Sequence, residues 1–132
     1  MATFQRFEDI IAWQKARALN KEIYNLSNKS SFARDLGFND QIRRSSVSIL
    51  SNIAEGFERR SQVEFAQFLN FAKGSAGEFR AQLYIALDLQ YIGKEDFDKL
   101  NQSVIEISKM ITGLMDYLKP TTKTIKAKKT II

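Results

Sequence analysis

Apolar residues recur along this chain at alternating steps of four and three, a spacing that admits very few folds. Ala12, Ala16, Leu19, Ile23 and Leu26 form one such series, and Phe65, Leu69, Ala72, Ala76, Phe79, Leu83 and Ala86 a longer one. Phe97, Leu100, Val104, Ile107, Met110 or Ile111, Leu114 and Leu118 form another. At about 100° per residue this period keeps one stripe of a helix turned toward the same neighbour, the seam of bundles that cross at about +20°. A further stretch repeats it through Phe38, Ile42, Ser46, Ile49 and Ile53, widened by Val47, Leu50 and Ala54. Such stripes bury each other most economically in an all-α, antiparallel up-down-up-down four-helix bundle, a single domain over residues 1–118.

Start and stop signals give the expected boundaries. The first helix is expected from Phe7 to about Asn28, followed by a linker, NKSSFARDLG, with one aromatic, Phe32, that is expected to be buried. The second should begin at an Asn39 cap, with Asp40 in its first turn, and stop near Gly56. Ser61 and Glu64 have capping-box spacing and open a third helix that runs to Tyr91, about 45 Å long at ~1.5 Å per residue. Gly74 and Gly77 interrupt it, which reads either as close approach of a neighbouring helix or as a kink or ligand-facing gap. Gly93 ends it, Lys94-Glu95-Asp96 opens the fourth helix, and Pro120 stops that one. Phe71, Ala81, Ile85 and Leu89 lie on the side of the third helix away from its seam. A helix apolar on two sides has to be covered on two sides, so Phe71, Ile85 and Leu89 predict an interface with a second copy of the chain.

The sequence contains neither cysteine nor histidine, and this closes most routes to catalysis in a bundle. Thiolate nucleophiles, Ser–His–Asp triads, nitrogen- or sulfur-ligated zinc and Glu-x-x-His di-iron helices are all excluded. Glu55 is a solitary acid, and no base adjoins the serines, so the reading is a non-enzyme with no metal and no cofactor. No apolar run is long enough to span a membrane, and the start, MATFQRFEDII, lacks signal architecture, so a cytoplasmic location is expected.

The net charge of +5 is less informative than where it resides. Residues 119–132 contain Lys119, Lys123, Lys126, Lys128 and Lys129 and no acid, whereas the other 118 residues carry 15 basic and 15 acidic side chains. The reading is a neutral body with a basic, disordered tail. Within the body, Arg43-Arg44 and Arg59-Arg60 are candidate phosphate contacts, because the planar guanidinium fork matches phosphate oxygens. Lys123, Lys126, Lys128 and Lys129 would add affinity that is independent of base sequence. The competing reading is that the arginines pair internally with Asp40, Glu55 or Glu58, or across subunits. Arg43 in particular sits on the edge of the apolar arc, where a guanidinium needs an acceptor-rich partner. Opposite that arc lie Arg44, Ser45, Ser48, Ser51, Asn52 and Glu55, either an interacting polar face or small residues that permit tight packing.

The run QIRRSSVSILSNIAEGFERRSQVEFAQFLNFAKGSAGEF, with the earlier FEDIIAWQKARAL, resembles the four-helix bundle family encoded by intervening sequences in bacterial 23S rRNA genes, also called the S23 ribosomal protein family. The resemblance implies a homopentamer. It also implies kinship with the accessory protein of a diversity-generating reverse transcriptase, which holds nucleic acid on basic surfaces. It marks Arg43, Arg44, Asn52, Glu55 and Gly56 as signature positions without assigning them chemistry. Leu50 and Ala33 stand where that family commonly has proline, which implies a straighter second helix. The expected function is thus a homo-oligomeric bundle associated with RNA or DNA, the alternative being an adaptor for a reverse transcriptase or other protein.

Overall fold

The computed structural model describes residues 4–119. A 3-10 turn at Phe7–Asp9 leads into α1 (Ile11–Ser27), followed by α2 (Ser30–Arg34), α3 (Leu36–Phe57), α4 (Gln62–Asp88) and α5 (Lys94–Tyr117). The four long helices form a closed ring of packing partners in which α3 lies on α4, α4 on α5, α5 on α1 and α1 on α3. This is the expected all-helical four-helix bundle, with one additional short helix. Its core is drawn from the heptad seams: Ala12, Ala16, Leu19 and Ile23 from α1, Ile42, Ile49 and Ile53 from α3, Leu69, Ala72, Ala76, Phe79, Leu83 and Ala86 from α4 and Phe97, Leu100, Val104, Ile107 and Ile111 from α5 are all buried. No described helix is long and apolar enough to cross a membrane. The tail expected at 119–132 lies outside the described residues apart from Lys119, which pairs with Asp116 at 3.1 Å.

Several boundaries differ from the expected ones, each for a local reason. The first helix starts at Ile11, because Phe7–Asp9 form a separate 3-10 turn. The linker is partly helical, and α3 starts three residues before Asn39, capped by Asp35, whose Oδ1 accepts from the Phe38 amide at 3.2 Å. Asn39 is no cap: it is buried, and its side-chain amide donates to the carbonyls of Ser27 and Phe32. α3 continues unbroken through Leu50 and Gly56 to Phe57. The capping box at Ser61 forms in altered shape, since Ser61 Oγ accepts from the Glu64 amide at 3.1 Å while its hydroxyl donates to Glu64 Oε1 at 3.3 Å. α4 stops at Asp88 rather than Tyr91. Gln90 adopts φ 62°, and the Tyr91 and Gln90 amides donate to Ala86 and Leu87, a Schellman ending without glycine. Gly93 instead caps the start of α5.

The linker closes over this end of the bundle. Phe32 is fully buried between the rings of Phe38 and Tyr91, at 5.8 and 5.1 Å, and the Tyr91 hydroxyl donates to Asp35 Oδ2 at 2.6 Å. That bond above all, then burial and the negative charge of Asp35, raises the Tyr91 phenol above its ordinary value of 10.0. The fold therefore favours neutral Tyr91. The resulting stability is fully present below about pH 10 and is lost as pH rises through the raised value. Urea titrations from about pH 8 to 11 should show Tyr91→Phe losing less stability on the alkaline side than wild type, and parallel alkaline losses would contradict this linkage.

Candidate nucleic-acid interface

The arginine pairs identified in the sequence have different surroundings. The last turn of α1 leaves carbonyls with no partner in their own helix, at the negative end of its dipole. Arg43 reaches them from α3: its Nε donates to Ser27 Oγ at 2.8 Å, its Nη2 to the Tyr24 carbonyl at 3.4 Å, and its guanidinium lies 4.4 Å from the centre of the Tyr24 ring. Arg43 is thus engaged inside the subunit, in the acceptor-rich setting that its place beside the apolar arc called for. Arg44 is exposed and paired with Asp40 at 2.8 Å. Both arginines line an open groove of about 580 Å³ together with Asp40, Tyr24, Leu36 and Val47, with Leu36 77% exposed.

The polar arc of α3 is largely engaged within the subunit. Ser45 is buried and donates to Gln82 Oε1 at 2.6 Å, Ser48 shares a 2.7 Å hydrogen bond with Ser75, and Asn52 donates to Ser48 O and Oγ. These bonds join α3 to α4 or lie alongside that contact. Glu55 pairs with Arg59 at 3.2 Å, and Gly56 is buried where α3 meets α4. A Cβ on Gly56 would lie 2.6 Å from Phe68 Cβ, so this glycine marks a close helix approach and not a helix stop. Gly74 and Gly77 have no atom within 4 Å of such a Cβ, so no neighbouring helix approaches them inside the subunit.

The second arginine pair lies at the α3–α4 corner, beside the C-terminal end of α5. Arg59, Arg60, Gln62, Phe65, Tyr117 and Leu118 line one cavity of about 230 Å³ there. Arg59 pairs with Glu55 at 3.2 Å and Glu64 at 3.9 Å and lies 4.7 Å from the Phe68 ring centre. Arg60 has no ion pair among the described residues. The chain continues from Lys119 toward Lys123, Lys126, Lys128 and Lys129, which lie outside the described residues. Lys123 follows Lys119 by four residues, which span at most about 14 Å. The outer surface of α4 and its C-cap exposes Phe71 at 56%, Ile85 at 44% and Leu89 at 50%.

One cationic cluster escaped the sequence reading. Between α4 and α5, Lys73, Gly77, Arg80, Ser108 and Lys109 border a notch of about 250 Å³. Lys73, Gly77 and Arg80 share one helix face through four- and three-residue spacing, a signal visible in sequence. Only the tertiary packing adds Lys109. Among the described residues no group of His, Cys, Asp or Glu is arranged to hold a metal.

Fold and surface together define a closed bundle of four long helices that carries cations at one end and along one seam, with an uncovered apolar strip on α4. The chain belongs to the 23S rRNA-intervening sequence protein family, whose profile matches residues 8–113. It is similar in structure to a protein of unknown function from the S23 ribosomal protein family of Bacteroides thetaiotaomicron, with a TM-score of 0.74 and 25% sequence identity over 80% of this chain and 96% of that one. No curated protein matches the chain.

Proposed function

We propose that this protein is a non-enzymatic, homo-oligomeric bundle, a pentamer as its family resemblance implies, that associates with RNA or DNA through basic surface. The observation that carries the reading is the meeting of Arg59 and Arg60 with Tyr117 and Leu118 at one end of the bundle, next to Lys119. These groups are distant in sequence, and the body they sit on is neutral overall. The carboxylates beside Arg59 do not preclude a phosphate contact. Glu55 and Glu64 are 55% and 43% exposed, and exchanging an exposed ion pair for another anion costs only about 0–1 kcal/mol. Assembly is supported by Phe71, Ile85 and Leu89, large apolar side chains that the subunit leaves about half exposed. The absence of imidazole and thiol supports a binding role over catalysis. A second reading, a protein adaptor, is favoured by the groove where Tyr24, Leu36 and Val47 lie among Asp40, Arg43 and Arg44, a mixture of apolar and charged groups that suits a protein surface.

Fluorescence anisotropy of a labelled duplex across a salt series tests the preferred reading. Replacing Arg59 and Arg60 by alanine should flatten the log–log salt slope by about two units, a little under one per lost contact. An unchanged slope and affinity would remove this end of the bundle from the interface. Light scattering tests assembly: wild type should be oligomeric and Ile85→Asp/Leu89→Asp smaller, whereas a monomeric wild type at micromolar concentration would refute it.

A further inference from the structure

The α4–α5 notch around Gly77 brings three cations together in a wall that contains no carboxylate. Arg6, Lys15, Arg44, Arg59, Lys94, Lys99 and Lys119 each pair with an acid. Lys73, Arg80 and Lys109 have no ion pair among the described residues, and the only hydrogen bond of these side chains is from Arg80 Nε to the neutral Asn101 amide at 3.1 Å. The notch they border has no carboxylate in its wall, and Ser108 is part of that wall. Three cations held together without a counter-charge repel one another and are stabilised by an anion. The recess exists because position 77 has no side chain, at a cost to the helix of roughly 1 kcal/mol relative to alanine.

The same seam continues toward the bundle end. A second recess there is bordered by Val63, Gln67, Asn70, Met115 and Lys119, whose ammonium pairs with the exposed Asp116 at 3.1 Å. From Lys119 to Asn101, which holds Arg80, α5 rises about 27 Å at 1.5 Å per residue. One strand of B-DNA advances about 3.4 Å along the duplex axis per phosphate, so this seam is about as long as eight base-pair steps. We propose that the α4–α5 seam is a track for a phosphodiester backbone, with Lys73, Arg80 and Lys109 holding phosphate at the Gly77 notch and Lys119 leading the strand to the bundle end. The proposal rests on the nucleic-acid reading above, and it adds three contact residues and a direction to it.

A charge-only pair of variants tests it. Position 77 is exposed on a helix, with nothing within 4 Å of an added Cβ, so both Gly77→Gln and Gly77→Glu should fold and melt at or above the wild-type temperature. Binding of labelled single-stranded RNA, single-stranded DNA and duplex DNA is measured by anisotropy over a salt series, alongside Lys73→Gln/Arg80→Gln/Lys109→Gln. Gly77→Glu is expected to bind at least tenfold more weakly than Gly77→Gln, and the triple variant to lose about two to three units of salt slope. The three probes show whether one strand suffices or a duplex is required. Equal binding by the two Gly77 variants with an unchanged triple-variant slope would overturn the track, while sensitivity to Arg59 and Arg60 would leave the broader reading standing. A wild type that binds none of the three probes would overturn both.

Discussion

Phe32→Ala should lower the stability of the bundle by about 3–5 kcal/mol, although residue 32 lies in what the sequence presents as a polar linker. Its ring is fully buried, stacked between Phe38 and Tyr91, and its carbonyl accepts from Asn39. Truncation would therefore empty a ring-sized volume and loosen three connections at once: the cap of α3, the end of α4 and the Asn39 bonds to the end of α1. Against a usual total of roughly 5–15 kcal/mol, that loss is enough to leave much of the protein unfolded. Urea denaturation measures it, as a lower midpoint at unchanged slope. A change below about 1 kcal/mol would mean that α2 does not close the bundle.

Gly56→Ala should destabilise by about 1–3 kcal/mol, against the helix preference that favours alanine. The added methyl would meet Phe68 Cβ at 2.6 Å, Phe65 Cδ1 at 3.1 Å and the Phe65 carbonyl at 3.3 Å. Phe68 Cβ is fixed to its backbone, so no rotamer change relieves the contact and α4 has to move away from α3. The hydrogen bonds from Ser45 to Gln82 and between Ser48 and Ser75 lie along the same contact and would stretch with it. Gly74→Ala supplies the internal control. Its Cβ meets nothing within 4 Å, so this change should leave the subunit as stable or raise its stability by up to about 1 kcal/mol. Thermal melts of the two variants should shift in opposite directions, and a harmless Gly56→Ala would contradict the tight α3–α4 contact.

The bundle was legible because its seams are written in apolar spacing, which depends on few atomic details: Leu69, Ala72, Ala76, Phe79, Leu83 and Ala86 are buried as their period requires. The ends of helices were harder to read, since capping depends on which of several polar residues reaches a free amide. Asp35 and Asn39 are both good caps by type, and the packing of Phe32 against Tyr91 selects Asp35 and turns Asn39 inward. Gln90 adopts a conformation for which glycine is the usual marker, so the true end of α4 had no signal. The arc of Ser45, Ser48 and Asn52 admits both a surface and a packing contact, because small polar residues suit water and a close helix contact equally well and only tertiary structure decides between them. The surface clusters show the same limit. Arg43 carried a visible need for acceptors, which α1 meets. The meeting of Lys109 with Lys73 and Arg80, and of Tyr117 with Arg59 and Arg60, joins residues some 30 to 60 positions apart that no local pattern links.

The account turns on whether the folded body, and not the lysine-rich segment alone, holds nucleic acid. The direct measurement is the anisotropy salt series on a chain ending at Lys119. It is predicted to keep salt-dependent binding through Arg59, Arg60 and the α4–α5 seam, with the slope reduced only by the share of the four removed lysines, at most about four units. Complete loss of binding on that truncation, with the fold intact by circular dichroism, would contradict the account and reduce the bundle to a carrier for its tail.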